Sequence, residues 1–347
     1  MRFEPTAPPH LRPATSVTRV MGEVLLALVP ATLAWVWYFG PGILYNMTIA
    51  AAVALVAEAA ALALRNRPVG PQLLDLSALV TAVLLAFCLP PLTPWWITAT
   101  GAAFAILFAK QLYGGLGFNP FNPAMAGYVV LLISFPEQMT RWLPPLGEAS
   151  GLAPASLDWW QTLRFTFTGR LPEALSWDAV SGATPLDDLR TQLSVTRTVA
   201  EVRAGALYGS LGARGWEWTA NWIALGGLYL LWRKIIRWQV PVAVILGLCV
   251  PATFFWLIEP GSHPPPTFHL FSGATILCAF FIATDPVSAA TSRSGRLVYG
   301  FGIGVLIFVI RSWGGYPDGV AFAVLLMNMA VPAIDHFTQP RTYGHPG

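Results

Sequence analysis

The chain has 347 residues, 55% of them apolar and 11% charged, with a mean hydropathy of +0.58; soluble domains carry about 25% charged residues, so the composition excludes an ordinary soluble protein and points to a polytopic membrane protein. The net charge of +3 is too small and too scattered along the chain to imply a nucleic-acid partner, and none is expected. Cys88, Cys249 and Cys278 lie in apolar segments without CxxC spacing, so they read as small buried hydrophobes, and this chain alone builds neither a zinc site nor a four-thiolate iron–sulfur cluster.

Residues 1–19 read as a polar, proline-rich cytoplasmic segment with no evident signal peptide. A bilayer-crossing helix needs roughly 20 apolar residues, and fewer suffice where it is broken. The first half, 20–135, therefore predicts spans at about Val20–Phe39, Ile43–Leu64, Leu76–Leu89, Trp95–Ala109 and Phe121–Phe135. Glu23 and Glu58 fall inside the first two, where an unpaired charge costs at least about 2.5 kcal/mol. Each is a candidate for an ion path, or else snorkels or pairs with Arg19 or Arg65. Asp75, Asp285, Asp318 and Asp335 sit near span ends and read as interfacial.

Residues 136–215 form a long polar segment with seven arginines and eight carboxylates. Its Trp142, Trp159, Trp160 and Trp177 suit interfacial anchoring or stacking on a planar cofactor. Residues 216–335 then predict spans at about Trp218–Trp232, Val240–Ile258, Phe268–Thr284, Leu297–Ile310 and Val320–Ile334, leaving 336–347 as a cytoplasmic tail. With the N-terminus in the cytoplasm, the short cytoplasmic segments hold twelve basic residues: Arg2, Arg12, Arg19, Arg65, Arg67, Lys110, Arg233, Lys234, Arg237, Arg293, Arg296 and Arg341. The short loops of the far side hold only Arg311. The positive-inside rule thus puts both termini in the cytoplasm and the long segment outside.

The expected fold class is all-α, with ten transmembrane helices in two five-helix repeats. "DLSALVTAVLLAFCLPP", Asp75 to Pro91, echoes "HLFSGATILCAFFIATDP", His269 to Pro286, and each is followed by a further span, a basic residue and a glycine pair. Five spans is an odd number, so the second copy is inverted. Gly114, Gly115, Gly117, Pro120 and Pro123, with Gly314, Gly315, Pro317 and Gly319, break helices at matching places, as around a midplane site. Such breaks line a solute or ion path, with Gly115 and Gly315 as its markers, or pack short half-helices in a rigid scaffold.

In the long segment, "SWDAVSGATPLDD" presents one threonine, Thr184, after Asp178 and the small run Ser181, Gly182 and Ala183. A threonine hydroxyl is a poor nucleophile unless activated, and the sequence shows no Ser/His/Asp or lysine arrangement around it. It reads as an acceptor for a foreign enzyme, which the flanking residues admit in extended form. A second SGAT, Ser272 to Thr275, opens an apolar span and has His269 in the place of the acid, so it reads as helix packing.

"DAVSGAT", Asp178 to Thr184, resembles the acceptor motif on which a flavin transferase esterifies FMN through its phosphate. With "KQLYGGLGFNPFNPAM", "FFIATDP" and "RSWGGYPDGVAFAVLLMN", nearly the whole chain resembles the D-type membrane component of Rnf-type ion-translocating electron-transport complexes, a family close to the B-type component of the sodium-pumping NADH:quinone reductase. The short stretch before the first span favours the former. The resemblance implies FMN held covalently on Thr184, with Asp178, Ser181, Gly182 and Ala183 recognised by the transferase, a place for noncovalent riboflavin, and a urea-channel-like ten-helix fold. It further implies a multi-subunit complex in a bacterial inner membrane that couples electron transfer between ferredoxin and NAD to movement of sodium ions or protons. The alternatives are a channel or transporter for a small neutral solute, or a membrane anchor with a vestigial flavin.

Overall fold

The computed structural model describes residues 16–146, 157–316 and 318–339. Arg2, Arg12 and Arg341 of the basic tally, and Pro317 of the second break, lie outside the described residues. Among the described residues the chain is helical, with no strand and two isolated β-bridges, Trp142 to Gly182 and Tyr208 to Ala213.

Ser16 caps α1 (Val17–Phe39) by accepting the Arg19 amide, and Gly40 and Pro41 turn the chain into α2 (Gly42–Leu64). A short α3 (Val69–Leu73) leads to α4 (Ser77–Cys88), after which Pro90 and Pro91 prevent continuation. Helix α5 (Trp95–Phe104) widens into a π-helical stretch, Ala105–Gln111. The first glycine break follows, and Asn122 with Pro123 restarts the chain as α6 (Pro123–Ser134).

The polar segment contains α7 (Pro136–Met139), α8 (Trp159–Thr168), α9 (Trp177–Val180), α10 (Pro185–Ser194) and α11 (Val199–Arg203). Then come α12 (Trp216–Trp232), α13 (Gln239–Ile258) and α14 (Pro266–Phe271). Helix α15 (Thr275–Leu277) passes into a second π-helical stretch, Cys278–Ile282, and α16 (Arg293–Trp313) and α17 (Val320–Phe337) complete the fold.

Six helical stretches among the described residues are long and apolar enough to cross a membrane: α1, α2, Val69–Cys88, α13, α16 and α17. The other four expected spans coincide with shorter or broken helices: α5 with its π stretch, α6, α12, and α14 with α15. Helices from both halves share one apolar core, α1 packing on α12, α2 on α4 and α13 on α16. The α13–α16 crossing depends on small residues: a Cβ at Gly304 would stand 2.2 Å from the Val244 carbonyl oxygen. Two buried asparagines join the halves. Asn122 donates its amide N–H to Asn328 Oδ1 (3.1 Å) and its Nδ2 to the Ile282 carbonyl (3.3 Å), while Asn328 Nδ2 donates to Tyr299 Oη (2.8 Å).

The intramembrane carboxylates take partners other than the neighbouring arginines. Glu58, 1% exposed, accepts from Lys110 Nζ at 2.5 Å and from Gln111 Nε2 at 2.8 Å. Glu23 pairs with Arg233 at 2.5 Å and accepts from the Tyr229 hydroxyl. Lys110 and Arg311 are both buried in ion pairs, Arg311 with Asp318, so neither is a loop charge. Removing each from the basic tally leaves eleven against none, so the asymmetry persists. Asp318 is likewise not a free interfacial group.

The first glycine break requires glycine: Gly115 has φ +100°, a left-handed conformation that side chains resist. At Gly315 a Cβ would meet open space, whereas at its neighbour Gly314 it would stand 2.5 Å from the Ile310 carbonyl oxygen.

Candidate functional site

The polar segment is held on the membrane helices by two small cores. Phe165 of α8 and Val180 of α9 pack with Leu92, and Leu186 and Leu189 of α10 pack with Val199, Val202, Tyr208 and Phe268. Arg141 lies over the Trp177 ring at 4.3 Å, a cation–π contact that seats the start of the acceptor run. Asp178 is exposed on α9, and the Ser181 hydroxyl returns to the Trp177 carbonyl (2.8 Å). Gly182 donates its N–H to the Trp142 carbonyl (2.8 Å), and Ala183 is exposed.

Thr184 is the N-cap of α10. Its Oγ1 accepts the Asp187 amide (3.2 Å) and donates to Asp187 Oδ2 (3.0 Å), while Pro185 takes the first helical position. The hydroxyl is thus engaged by an aspartate alone, which falls short of the Ser/His/Asp or lysine arrangement that a threonine nucleophile needs. The signal was present as a threonine three residues before an aspartate, the spacing of a capping pair. Burial holds the Asp187 carboxyl above the usual carboxylate range; the bond from Thr184 and the Arg190 charge oppose that, and Asp318 reinforces it. Arg190 in turn donates to the Gly314 carbonyl, tying α10 to the second glycine break.

The Thr184 side chain borders a cavity whose empty volume is about 1020 Å³, its open mouth included. Its walls come from both halves of the chain and from the polar segment. Trp35, Phe87, Tyr128, Trp142 and Trp216 supply aromatic surface, and Asp187, Ser272 and Asp318 supply polar groups. Trp35, Trp142 and Trp216 touch one another, with ring centroids 5.2 to 6.3 Å apart. Sequence reading singled out Trp142 but not Trp35 or Trp216, which only the fold brings beside Thr184. Trp159 and Trp160 are exposed on α8, away from the cavity lining. The run Ser272 to Ala274 of the second SGAT also lines the cavity, while Thr275 is fully buried and donates to the His269 carbonyl (2.9 Å).

The four candidate path residues do not gather at this cavity. A second cavity, formed by α1, α4, α12, the first glycine break and the end of the second π-helical stretch, is lined by Ser77, Lys110, Asn119, Asn122, Thr284 and Asp285. Lys110 links it to Glu58, and Ser77 Oγ accepts from Lys110 (2.6 Å). Of the buried acceptor oxygens without a hydrogen-bond partner among the described residues, Asn119 Oδ1 belongs to its lining, while Glu58 Oε2 and Gln111 Oε1 belong to the buried group joined to Lys110. Glu23 lies apart with Arg233, and neither Gly115 nor Gly315 lines either cavity.

The chain matches the model of the NQR2, RnfD, RnfE family over residues 5–344. Curated proteins from Salmonella arizonae, Salmonella heidelberg and Salmonella typhimurium, each named as the D-type subunit of an ion-translocating oxidoreductase complex, are 49% identical to it over 353 aligned residues, which cover 99% of both chains.

Proposed function

We propose that this chain, which belongs to the NQR2, RnfD, RnfE family, is the flavin-carrying D-type component of an ion-translocating oxidoreductase complex, and that it holds FMN as a phosphoester on Thr184. The observation that carries this reading is a threonine hydroxyl at the edge of an aromatic-lined cavity. The cavity suits the group. Trp35, Trp142 and Trp216 offer apolar faces to a planar ring, and the N-terminus of α10 favours a phosphate at its cap. The exposed Asp178 and Ala183 remain accessible to a flavin transferase.

Bound there, the flavin would supply the electron chemistry, and the protein would fix its position and surroundings. The complex would pass electrons between ferredoxin and NAD and move sodium ions or protons, with its other members providing the carriers that this chain lacks. In the proposed topology ten helices cross a bacterial inner membrane as two inverted repeats of the urea-channel type, with both termini cytoplasmic and the flavin outside. Moving one electron across that membrane is worth about 2.3 kcal/mol per 100 mV. Glu58 with Lys110, and Glu23, are the candidate carriers of the ion path. The second cavity suits the noncovalent riboflavin, because the unpartnered Asn119 Oδ1 in its lining can accept from a hydroxyl-rich ligand.

The test is fluorescence of the denatured chain on a gel, where only covalent flavin survives. Wild type should fluoresce, Thr184→Ala should not, Thr184→Ser should retain part of the signal, and Asp178→Ala should weaken it. A fluorescent Thr184→Ala band would overturn the assignment. Flux of a small neutral solute through the isolated chain, with no bound chromophore, would favour the channel reading instead.

A further inference from the structure

The second SGAT carries no acceptor, yet it stands on the wall of the cavity that Thr184 borders. We infer that Ser272 to Ala274 and Asp318 form the polar wall of the flavin site, with Ser272 as a hydrogen-bond donor to the ring and the Arg311–Asp318 pair as the fixed charge that sets its potential. The inference rests on the flavin reading of Thr184.

Three observations support it. The first is proximity. Leu186, two residues after Thr184, packs directly on Gly273: a Cβ there would stand 2.8 Å from Leu186 Cδ1, 2.8 Å from Asp318 Oδ2 and 2.4 Å from Arg311 Nη2. The first turn of α10 therefore rests on this run, and glycine is required for the seat.

The second is the Ser272 hydroxyl, which is buried and has no hydrogen-bond partner. A buried polar group left unpaired is destabilising and calls for an explanation. Two other hydroxyls on the lining are already committed, Thr140 to the Pro136 carbonyl (3.1 Å) and Thr219 to the Trp216 carbonyl (2.8 Å). Ser272 Oγ packs beside Gly212, where a Cβ would stand 2.8 Å away, and keeps its bonding capacity unspent at a residue of the lining.

The third is the rigidity of the charge pair. Asp318 Oδ1 accepts from Arg311 Nε (3.2 Å), Arg311 Nη2 (3.0 Å) and the Val320 amide (3.2 Å), and Oδ2 accepts from the Ala274 amide (2.9 Å). Arg311 Nη1 is fixed on the His269 carbonyl (2.6 Å). Asp318 lines the cavity and Arg311 is buried behind it, so the carboxylate is the nearer charge. Preorganised charges beside a redox ring shift its potential because they do not reorient when an electron arrives.

The two residues act with opposite sign. A donor to the ring favours the electron-rich reduced form, so Ser272→Ala should lower the midpoint potential. A carboxylate beside the ring opposes reduction, so Asp318→Asn should raise it. Each change should alter the ratio of reduced to oxidised flavin about tenfold, which is about 59 mV for a one-electron couple and about 30 mV for two electrons.

The experiment uses the full chain, produced with a flavin transferase and purified in detergent. Flavin absorbance is followed through a potentiometric titration, and the gel fluorescence is recorded on the same samples. If wild type lacks a covalent band, the flavin reading itself fails. If wild type and Ser272→Ala both carry the band and have the same midpoint, the proposed wall is overturned. Asp318→Asn leaves Arg311 without its counter-ion and can fail to fold, but Ser272→Ala deletes only an unpaired hydroxyl. A purely structural serine would show greater thermal stability on that change and no shift in potential.

Discussion

Lys110→Met tests the interior of the first half most sharply. The substitution keeps most of the side-chain volume in the π-helical stretch and removes the cation 2.5 Å from Glu58. Both residues are 1% exposed, so solvent cannot replace the lost partner. Glu58 Oε1 would keep one donor, Gln111 Nε2, while Oε2 has no hydrogen-bond partner even in the intact protein. Breaking a buried pair and leaving one charge behind costs about 3–5 kcal/mol, several times the value of an exposed pair. Glu58→Gln combined with Lys110→Met retains an acceptor for Gln111 and removes the stranded charge, so the double variant should recover most of the loss. The assay is unfolding in mild detergent of wild type, both single variants and the double, read as a double-mutant cycle. Single variants within about 0.5 kcal/mol of wild type, the range of ordinary surface changes, would refute the buried pair.

Three other outcomes are expected. Gly115→Leu forces a side chain into left-handed backbone and should impair electron-coupled ion uptake, whereas Gly315→Leu meets open space and should still insert and fold; equal, normal uptake in both would leave the first break without a functional role. Because burial raises the folded-state pKa of Asp187, its contribution to stability is fully present below the ordinary carboxylate range and is lost as pH rises through the raised value. Asp187→Asn should flatten that part of the stability profile, measured by hydrogen exchange of α10, and an unchanged profile would contradict the assignment. For topology, a reporter fused after His345 should be active only in the cytoplasm and one inserted near Gly151 only outside; the reverse pattern would remove the basis for an external flavin.

Much of the helical framework is legible in the sequence because hydrophobic length and local stop signals set it. Ser16, Asn122, Asp158, Thr198 and Ser292 each cap the helix that follows, and Pro90–Pro91 closes α4. Pairing across the fold is not legible. Glu58 and Lys110 lie 52 residues apart, and Glu23 and Arg233 are separated by 210, so nearby arginines looked like equally good partners. The π-helical stretch adds to the difficulty: Lys110 and Gln111 are consecutive, yet both donate to the same Glu58 oxygen, which ordinary helical spacing does not suggest.

The motif singles out Thr184, but the setting of that residue is not legible in the sequence. Read as a presented hydroxyl, it turns out to cap α10 and to border a cavity shared with Trp35, Trp216 and the second SGAT. Those residues are distant in sequence and individually ordinary. Small residues such as Ser272 and Gly273 give the same signal whether they pack a helix or build a ligand wall, and the proposed wall rests on the unpaired hydroxyl and on the seat for Leu186.

Covalent FMN on Thr184 is read from the mass of the peptide containing that residue, taken from the chain produced together with its flavin transferase. The peptide should be heavier by FMN minus water, with fragmentation placing the addition on Thr184 and leaving the Thr275 peptide unmodified. An unmodified Thr184 peptide beside a functioning complex, or the addition on Thr275, would contradict it.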